Sequence, residues 1–256
     1  MFDNIRWKGW VLAMLLTSAG ANVCRGDDFR IETKVALKGK VVTENLTLFY
    51  GVRVYDFMGE SSDITVFDPT RSRFLLLDPN RKIRTEVKVS DVVAFMQRLR
   101  SWAREEQDPF MNFLADPKFD QKVDQPNHLI TLTSPYMSYK LFSITAPNDE
   151  VARQENKFSD WYAQLSTMAT VGKMPPFPRM MVNSLLKQHR AIPTEVKLTL
   201  HLKEEVSLQS DHKVNWRLLE DDLQMIRRVD GYMAQFKAVP FEEYLRVEEP
   251  TTTSQR

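Results

Sequence analysis

The sequence predicts an α+β fold built on an antiparallel sheet, and three observations carry that prediction. Over the first hundred residues apolar side chains recur with period two, the spacing of a sheet with one buried face. Later stretches switch to helical spacing, and strand runs and helix runs stay in separate blocks instead of alternating as βαβ units. The chain also has only eight glycines, where average usage would give about 18. No two of them form a G-x-G, so the phosphate loops of doubly wound nucleotide-binding folds are absent.

The elements follow in order. Phe29, Ile31, Thr33, Val35 and Leu37 alternate with Arg30, Glu32 and Lys34, which predicts a strand with one face inward. A turn near Lys38-Gly39-Lys40 leads to a partner through Val42, Leu46, Leu48 and Tyr50, then a further strand over Val52 to Phe57. Ile64 to Arg71 and Leu75 to Arg81 each carry an Asp-Pro pair, Asp68-Pro69 and Asp78-Pro79. Pro fixes φ and Asp accepts a backbone N–H, so both pairs read as turns of a meander and not as a catalytic carboxylate pair.

After Ser90-Asp91, an N-cap candidate, Val92, Phe95, Met96, Leu99 and Trp102 fall at helical spacing. Pro109 interrupts, Phe110 to Leu114 adds a turn or two, and three strands follow: Phe119–Val123, Leu129–Thr133 and Tyr136–Ile144. The clearest helix carries Phe158, Trp161, Tyr162, Leu165, Met168 and Ala169 on one stripe. A stiff Gly172 to Pro178 linker with three prolines precedes a helix over Arg179 to His189. Val196, Leu198, Leu200 and Leu202 then alternate with Lys197, Thr199, His201 and Lys203, and a return strand holding Val214, Trp216 and Leu218 follows a turn at Ser210 to Lys213. Leu223, Ile226, Val229, Met233 and Phe236 predict a last helix. No linker is long or biased enough to demand two domains. Residues 27–247 are therefore expected to form a single α+β domain, with residues 248–256 a disordered polar tail.

The N-terminus carries Arg6 and Lys8, an apolar stretch from Trp10 and a small-residue Ala19-Gly20-Ala21 site, the pattern of a secretory signal peptide. Its apolar run falls short of the roughly 18–20 residues that span a bilayer. Residues 1–21 are thus read as a cleaved signal peptide and the protein as periplasmic or secreted, and no later stretch predicts an integral membrane protein. Removing them leaves 33 basic and 33 acidic residues. A neutral chain has no broad field to attract nucleic acid. The single cysteine, Cys24, cannot close an internal disulfide. Its acylation would make a lipoprotein, but Ala21-Asn22-Val23 lacks the Leu and the small residue expected before such a cysteine. Asn45-Leu46-Thr47 is a glycosylation sequon.

No pattern in the sequence points to a cofactor or a metal. There is no H-E-x-x-H and no cysteine pair, and the four histidines, at 128, 189, 201 and 212, are widely spread. His201 is expected on the exposed side of its strand and His212 in a turn. A nucleophile elbow is absent. A carboxylate-dependent hydrolase needs only two acids in a cleft, and Glu105-Glu106 or Glu220-Asp221-Asp222 could supply them. What remains is apolar. Met168, Met174, Met180 and Met181 place four of the 12 methionines within 14 residues, interleaved with Phe177 and the prolines. Flexible, polarizable methionines suit ligands of irregular shape, and they also fill cores.

A leader, an antiparallel meander with Asp-Pro turns, apolar-faced strands and helices laid on the sheet together resemble the LolA/LolB/LppX-like periplasmic carriers. The chain also looks like uncharacterised secreted proteins of planctomycete type. The carrier resemblance implies a curved antiparallel sheet forming an open half-barrel, with helices packed on one face as a lid over an apolar cavity. It implies a lipid or an acylated protein as partner. Trp161, Met168, Met174, Phe177, Met180 and Met181 are the expected lining. An envelope structural or interaction protein with a protein partner and no small ligand is the alternative.

Overall fold

A computed structural model describes residues 27–59 and 62–246. The predicted leader, Cys24 and the polar tail lie outside the described residues. Six strands open the fold: β1 (Phe29–Leu37), β2 (Lys40–Tyr50), β3 (Arg53–Met58), β4 (Ile64–Asp68), β5 (Arg73–Asp78) and β6 (Ile83–Lys88). Helices α1 (Val89–Glu105) and α2 (Pro109–Ala115) follow, then β7 (Asp120–Asp124), β8 (Leu129–Thr133) and β9 (Met137–Thr145). Next come α3 (Asp149–Ala169), α4 (Phe177–Gln188), β10 (Ala191–Leu200), β11 (Val206–Asn215), α5 (Glu220–Gln235), β12 (Lys237–Ala238) and α6 (Phe241–Tyr244).

All twelve strands join one open sheet in the order β12-β6-β5-β4-β3-β2-β1-β11-β10-β9-β8-β7. Every pairing is antiparallel except the short β12–β6 contact. The first and second halves of the chain meet where β1 pairs β11, from Arg30↔Asn215 to Leu37↔Leu208. That seam lies mid-sheet, with hairpin neighbours β2 and β10 on either side. Bulges at Val35/Ala36 on β1 and at Pro193/Glu195 on β10 bend the strands there.

The hairpins are local in origin. Lys38 and Gly39 both adopt positive φ, as a two-residue type I′ turn demands. Asp68 accepts the Thr70 hydroxyl at 2.6 Å and Asp78 the Arg81 N–H at 2.9 Å, and the left-handed residues Ser72 and Lys82 close the two turns. Both Asp-Pro signals are therefore turns. A third turn, Asp124 to His128, uses the same device with its proline one place later.

Period two puts Leu48, Tyr55, Val66 and Leu77 on one face of the β2–β6 half and Phe49, Val54, Phe67 and Phe74 on the other. The second set forms the main core with α1 and α3, in which Phe29 stacks on Phe49 at 4.0 Å and Phe158 meets Phe49 edge-on. A neighbouring cluster packs α2 and α4 on β8–β10. These helices form the expected layer on one face. The opposite face is covered too: α5 brings Ile226, Val229 and Phe236 onto Leu48, Tyr55 and Val66. The N-terminus of α5 is fixed by Arg30, which donates to both oxygens of buried Asp222 at 2.9 and 3.1 Å.

Several predicted boundaries move. Helix α1 starts at Val89, with no side-chain cap from Ser90 or Asp91. Strand β10 begins at Ala191, and the β10–β11 connection spans residues 201–205, not Ser210 to Lys213. His201 and Leu202 therefore lie in the connection, while His212 sits inside β11. The apolar alternation of 196–202 marks the strand but runs past its end.

Candidate functional site

The seam carries small and polar side chains where it faces α3. Strand β1 contributes Thr33 and Val35, β2 contributes Thr43, Asn45 and Thr47, and β11 contributes Ser210 and His212. Of these, Asn45 reaches α3, at the Tyr162 hydroxyl. Helix α3 spans them, and a cavity of about 420 Å³ remains beneath Glu155, Ser159 and Tyr162. A second compartment of about 540 Å³ continues under the proline linker and the first turn of α4. Its roof is Met174, Pro175, Pro176 and Pro178, and its floor is Val196, Leu198, Leu200 and Leu208. Tyr162, Ala163, Ser166, Lys173, Arg179 and Ser210 border both compartments, so together they form one groove, apolar at its outer end and more polar at its inner end, where Asn45, Asp56, Glu155 and His212 stand among Ile31, Phe49 and Phe158. Its dimensions are those of a small-ligand site, typically about 300–1,000 Å³.

Helix α3 is held above the seam by polar contacts, not by apolar packing alone. Asn148 caps it by accepting the Val151 N–H at 2.9 Å. Asn156 donates to the Asn183 carbonyl at 2.7 Å, and Asn183 donates to Asp160 at 2.8 Å, tying α3 to α4. On the sheet side, Thr47 and Asn45 donate to the two oxygens of Asp56 at 2.7 and 3.0 Å, and the Tyr162 hydroxyl bonds the same carboxyl from α3. Asn45 is thus engaged in the groove wall, whatever its sequon.

Burial dominates the electrostatics of the inner compartment. It raises the Asp56 carboxyl above the usual carboxylate range, against the pull of Thr47, Asn45 and Tyr162. It pushes Glu155 up to about 7, opposed by the hydrogen bond from Ser159 at 2.7 Å and by the charge of Arg179. It draws His212 down to about 4, helped by the same guanidinium. His212 is therefore a neutral imidazole at physiological pH, with Thr33 Oγ1 at 2.9 Å from Nδ1 and Ser210 Oγ at 3.0 Å from Nε2. The Ser210–His212–Thr33 chain has the spacing of a nucleophile, base and orienting group, but a base that titrates near 4 is a poor proton acceptor at neutral pH. Arg179 differs from its neighbours. Among the described residues its guanidinium has no hydrogen-bonded or ion-paired partner, while it borders both compartments.

The six residues expected to line a ligand site are dispersed. Met174 lines the outer compartment. Trp161 and Met168 pack against the main core. Phe177, Met180 and Met181 border a separate depression beside Arg100 and Ala115 on the α1–α2 side, and Arg100 lies over the Phe177 ring at 4.0 Å. Sequence reasoning missed Arg179, Glu155, Asp56 and His212. One signal was present: Val151, Glu155, Phe158, Tyr162 and Leu165 run along a single stripe of α3, so an acid occupies a core-facing position. Asp56 and Glu155 do share one compartment, as a carboxylate-dependent enzyme would require, whereas the acids flagged from the sequence lie elsewhere. Among the described residues no group of three or more His, Cys, Asp or Glu converges as a metal site, and no helix is long and apolar enough to cross a membrane.

Neither a family model nor a curated protein matches the chain. Among solved structures it is similar to PNGF-II, with 6% identity and a TM-score of 0.34 over 85% of this chain and 32% of that one. The chain thus spans about a third of that protein's length. It is also similar to a LolA superfamily protein from Nitrosomonas europaea, with 9% identity and a TM-score of 0.29 over 78% of this chain and 90% of that one. Both scores are too low to place the chain in a superfamily.

Proposed function

We propose that the protein is an exported binding protein, periplasmic or secreted, that carries a lipid or an acylated partner in the groove between the sheet and the α3–α4 helices. One observation supports this above the others: the two compartments share walls, and the groove is apolar at its outer end and gains polar side chains toward its inner end. The outer compartment offers Leu198, Leu200, Leu208 and Met174 to a hydrocarbon chain. Affinity would come from removing that chain from water, at about 0.8 kcal/mol per buried CH₂. The linker roof, stiffened by Pro175, Pro176 and Pro178, would limit exit. On this reading Met174 remains a lining residue, and the other five expected residues support α3 and α4 from behind.

The test is a series of saturated fatty acids of increasing length, titrated into the full chain by calorimetry. Each added carbon that enters the groove should tighten Kd about fourfold, until the groove is full. Leu198→Asp should abolish the length dependence, and Met181→Asp, on the other side of α4, should leave it intact. Affinity independent of chain length would overturn the proposal and favour an envelope interaction protein without a small ligand.

A further inference from the structure

Arg179 is the feature of the groove that hydrocarbon binding leaves unexplained. An arginine in the first turn of α4 could reach solvent or a surface acid, as Arg104 does with Asp116 and Arg190 with Asp149. Instead it borders both compartments, where the apolar outer groove meets the inner end that holds Asp56, Glu155 and His212. The groups around it do not take up its charge. On α3, Glu155 accepts from Ser159 and Asp160 accepts from Asn183, and neither is within ion-pair distance of Arg179. On the sheet, Asp56 is occupied by Thr47 and Asn45, and His212 is held between two hydroxyls. Burial raises Asp56 and Glu155, and Arg179 acts on Glu155 and Asp160 only at a distance, with no direct partner for its guanidinium.

We propose that the inner end of the groove binds the anionic head of an amphiphile, a carboxylate or a phosphate monoester, with the Arg179 guanidinium as its charge partner. The inference rests on the carrier reading and specifies its ligand: a single hydrocarbon chain ending in a compact oxyanion. The guanidinium presents a planar donor fork that matches both head groups. Hydroxyls on the inner wall, Ser166 and Ser210, stand beside Arg179 as further donors. Hydrocarbon fills the outer compartment, so the head is positioned at the junction by the length of the chain behind it.

Three probes of equal chain length separate the outcomes: oleate, oleyl phosphate and oleyl alcohol, each titrated into the full chain. The wild type is expected to bind both anions at least tenfold more tightly than the alcohol. Arg179→Gln should weaken the anions about ten- to a hundredfold, the scale of a lost charged hydrogen bond, and leave the alcohol unchanged. Arg179→Lys should restore part of the loss. Because Arg179 has no ion pair to break, a circular dichroism melt of the Gln variant at pH 5, where Glu155 is protonated, should match the wild type. If oleyl alcohol binds the wild type as tightly as oleate, the head-group inference is overturned and the carrier reading stands. If the anions are preferred but Arg179→Gln does not change that preference, the assignment to Arg179 is overturned. If none of the three binds, the carrier reading falls and takes the inference with it.

Discussion

Replacing Glu155 with Gln tests the electrostatics of the groove without any ligand. Glu155 is 5% exposed, and burial lifts its carboxyl from 4.5 to about 7. The unfolded chain releases this proton near 4.5, while the folded chain holds it until about 7. Between those values the folded state binds more protons, so stability falls as pH rises and then levels off. At about 1.4 kcal/mol per pH unit, the decline attributable to this residue is about 3 kcal/mol. Gln has no proton to lose, and its carbonyl oxygen can keep the hydrogen bond from Ser159. Urea unfolding of both proteins from pH 4.5 to 8.5 therefore gives a difference in stability that grows by about 3 kcal/mol in favour of Glu155→Gln. Taking the difference cancels the contributions of Asp160, His212 and the other groups that titrate in both proteins. In an Arg179→Gln background the midpoint of that growth should move to higher pH, because the guanidinium is one of the forces holding it down. A difference that stays constant across the range would refute the reasoning, since Glu155 would then ionise alike in both states.

The same linkage with the opposite sign applies to His212. Its folded titration lies near 4 and its ordinary value is 6.5, so the unfolded chain takes the proton first and stability is lost as pH falls through that window. In His212→Gln this acid-side loss should disappear from the urea midpoints, and its persistence would assign the loss to other groups. On the far face, Asp222→Ala leaves Arg30 with Glu32 alone and removes the acceptor for the Leu219 N–H at the start of α5, and should cost about 3 kcal/mol by chemical denaturation. A change below about 1 kcal/mol would mean that the bidentate pair behaves as an exposed one.

Much of the fold was legible because its signals are local. The period-two run of β1, the Asp-Pro turns and the stripe of α3 are each set by residues within a few positions of one another. The pairing of β1 with β11 was not legible, since it joins residues nearly 180 positions apart with no local mark. The mistaken turn at Ser210 to Lys213 has the same origin. Ser, Asp, His and Lys in succession carry turn chemistry, yet they pair with Val35, Lys34, Thr33 and Glu32 across the seam. The six expected lining residues are spread for a related reason. Apolarity marks a ligand site and a core alike, and the most apolar residues of α3 and α4, Phe158, Leu165 and Phe177, are apolar because they build the core.

The groove exists because of what the seam lacks. If Thr33, Thr47 and Ser210 were Val, Leu or Phe, α3 would close onto them and extend the core by the packing that already joins Phe49 to Phe158. Short polar side chains leave a gap, and the gap obliges α3 to find its hold elsewhere. It finds that hold in Tyr162 on Asp56 and in Asn156 and Asn183 across to α4. Each of these contacts replaces apolar burial with a directional bond, which fixes the height of the helix over the sheet more narrowly than hydrocarbon packing would. The polar residues that look out of place on the core-facing stripe therefore have a common physical role, which is to hold a helix away from a sheet without letting water-accessible space collapse. A groove kept open in this way is rigid at its inner end, where directional bonds define it, and more adaptable at its outer end, where Met174 faces the leucines of β10 and β11. That asymmetry suits a ligand whose head must be placed and whose tail needs only to be covered.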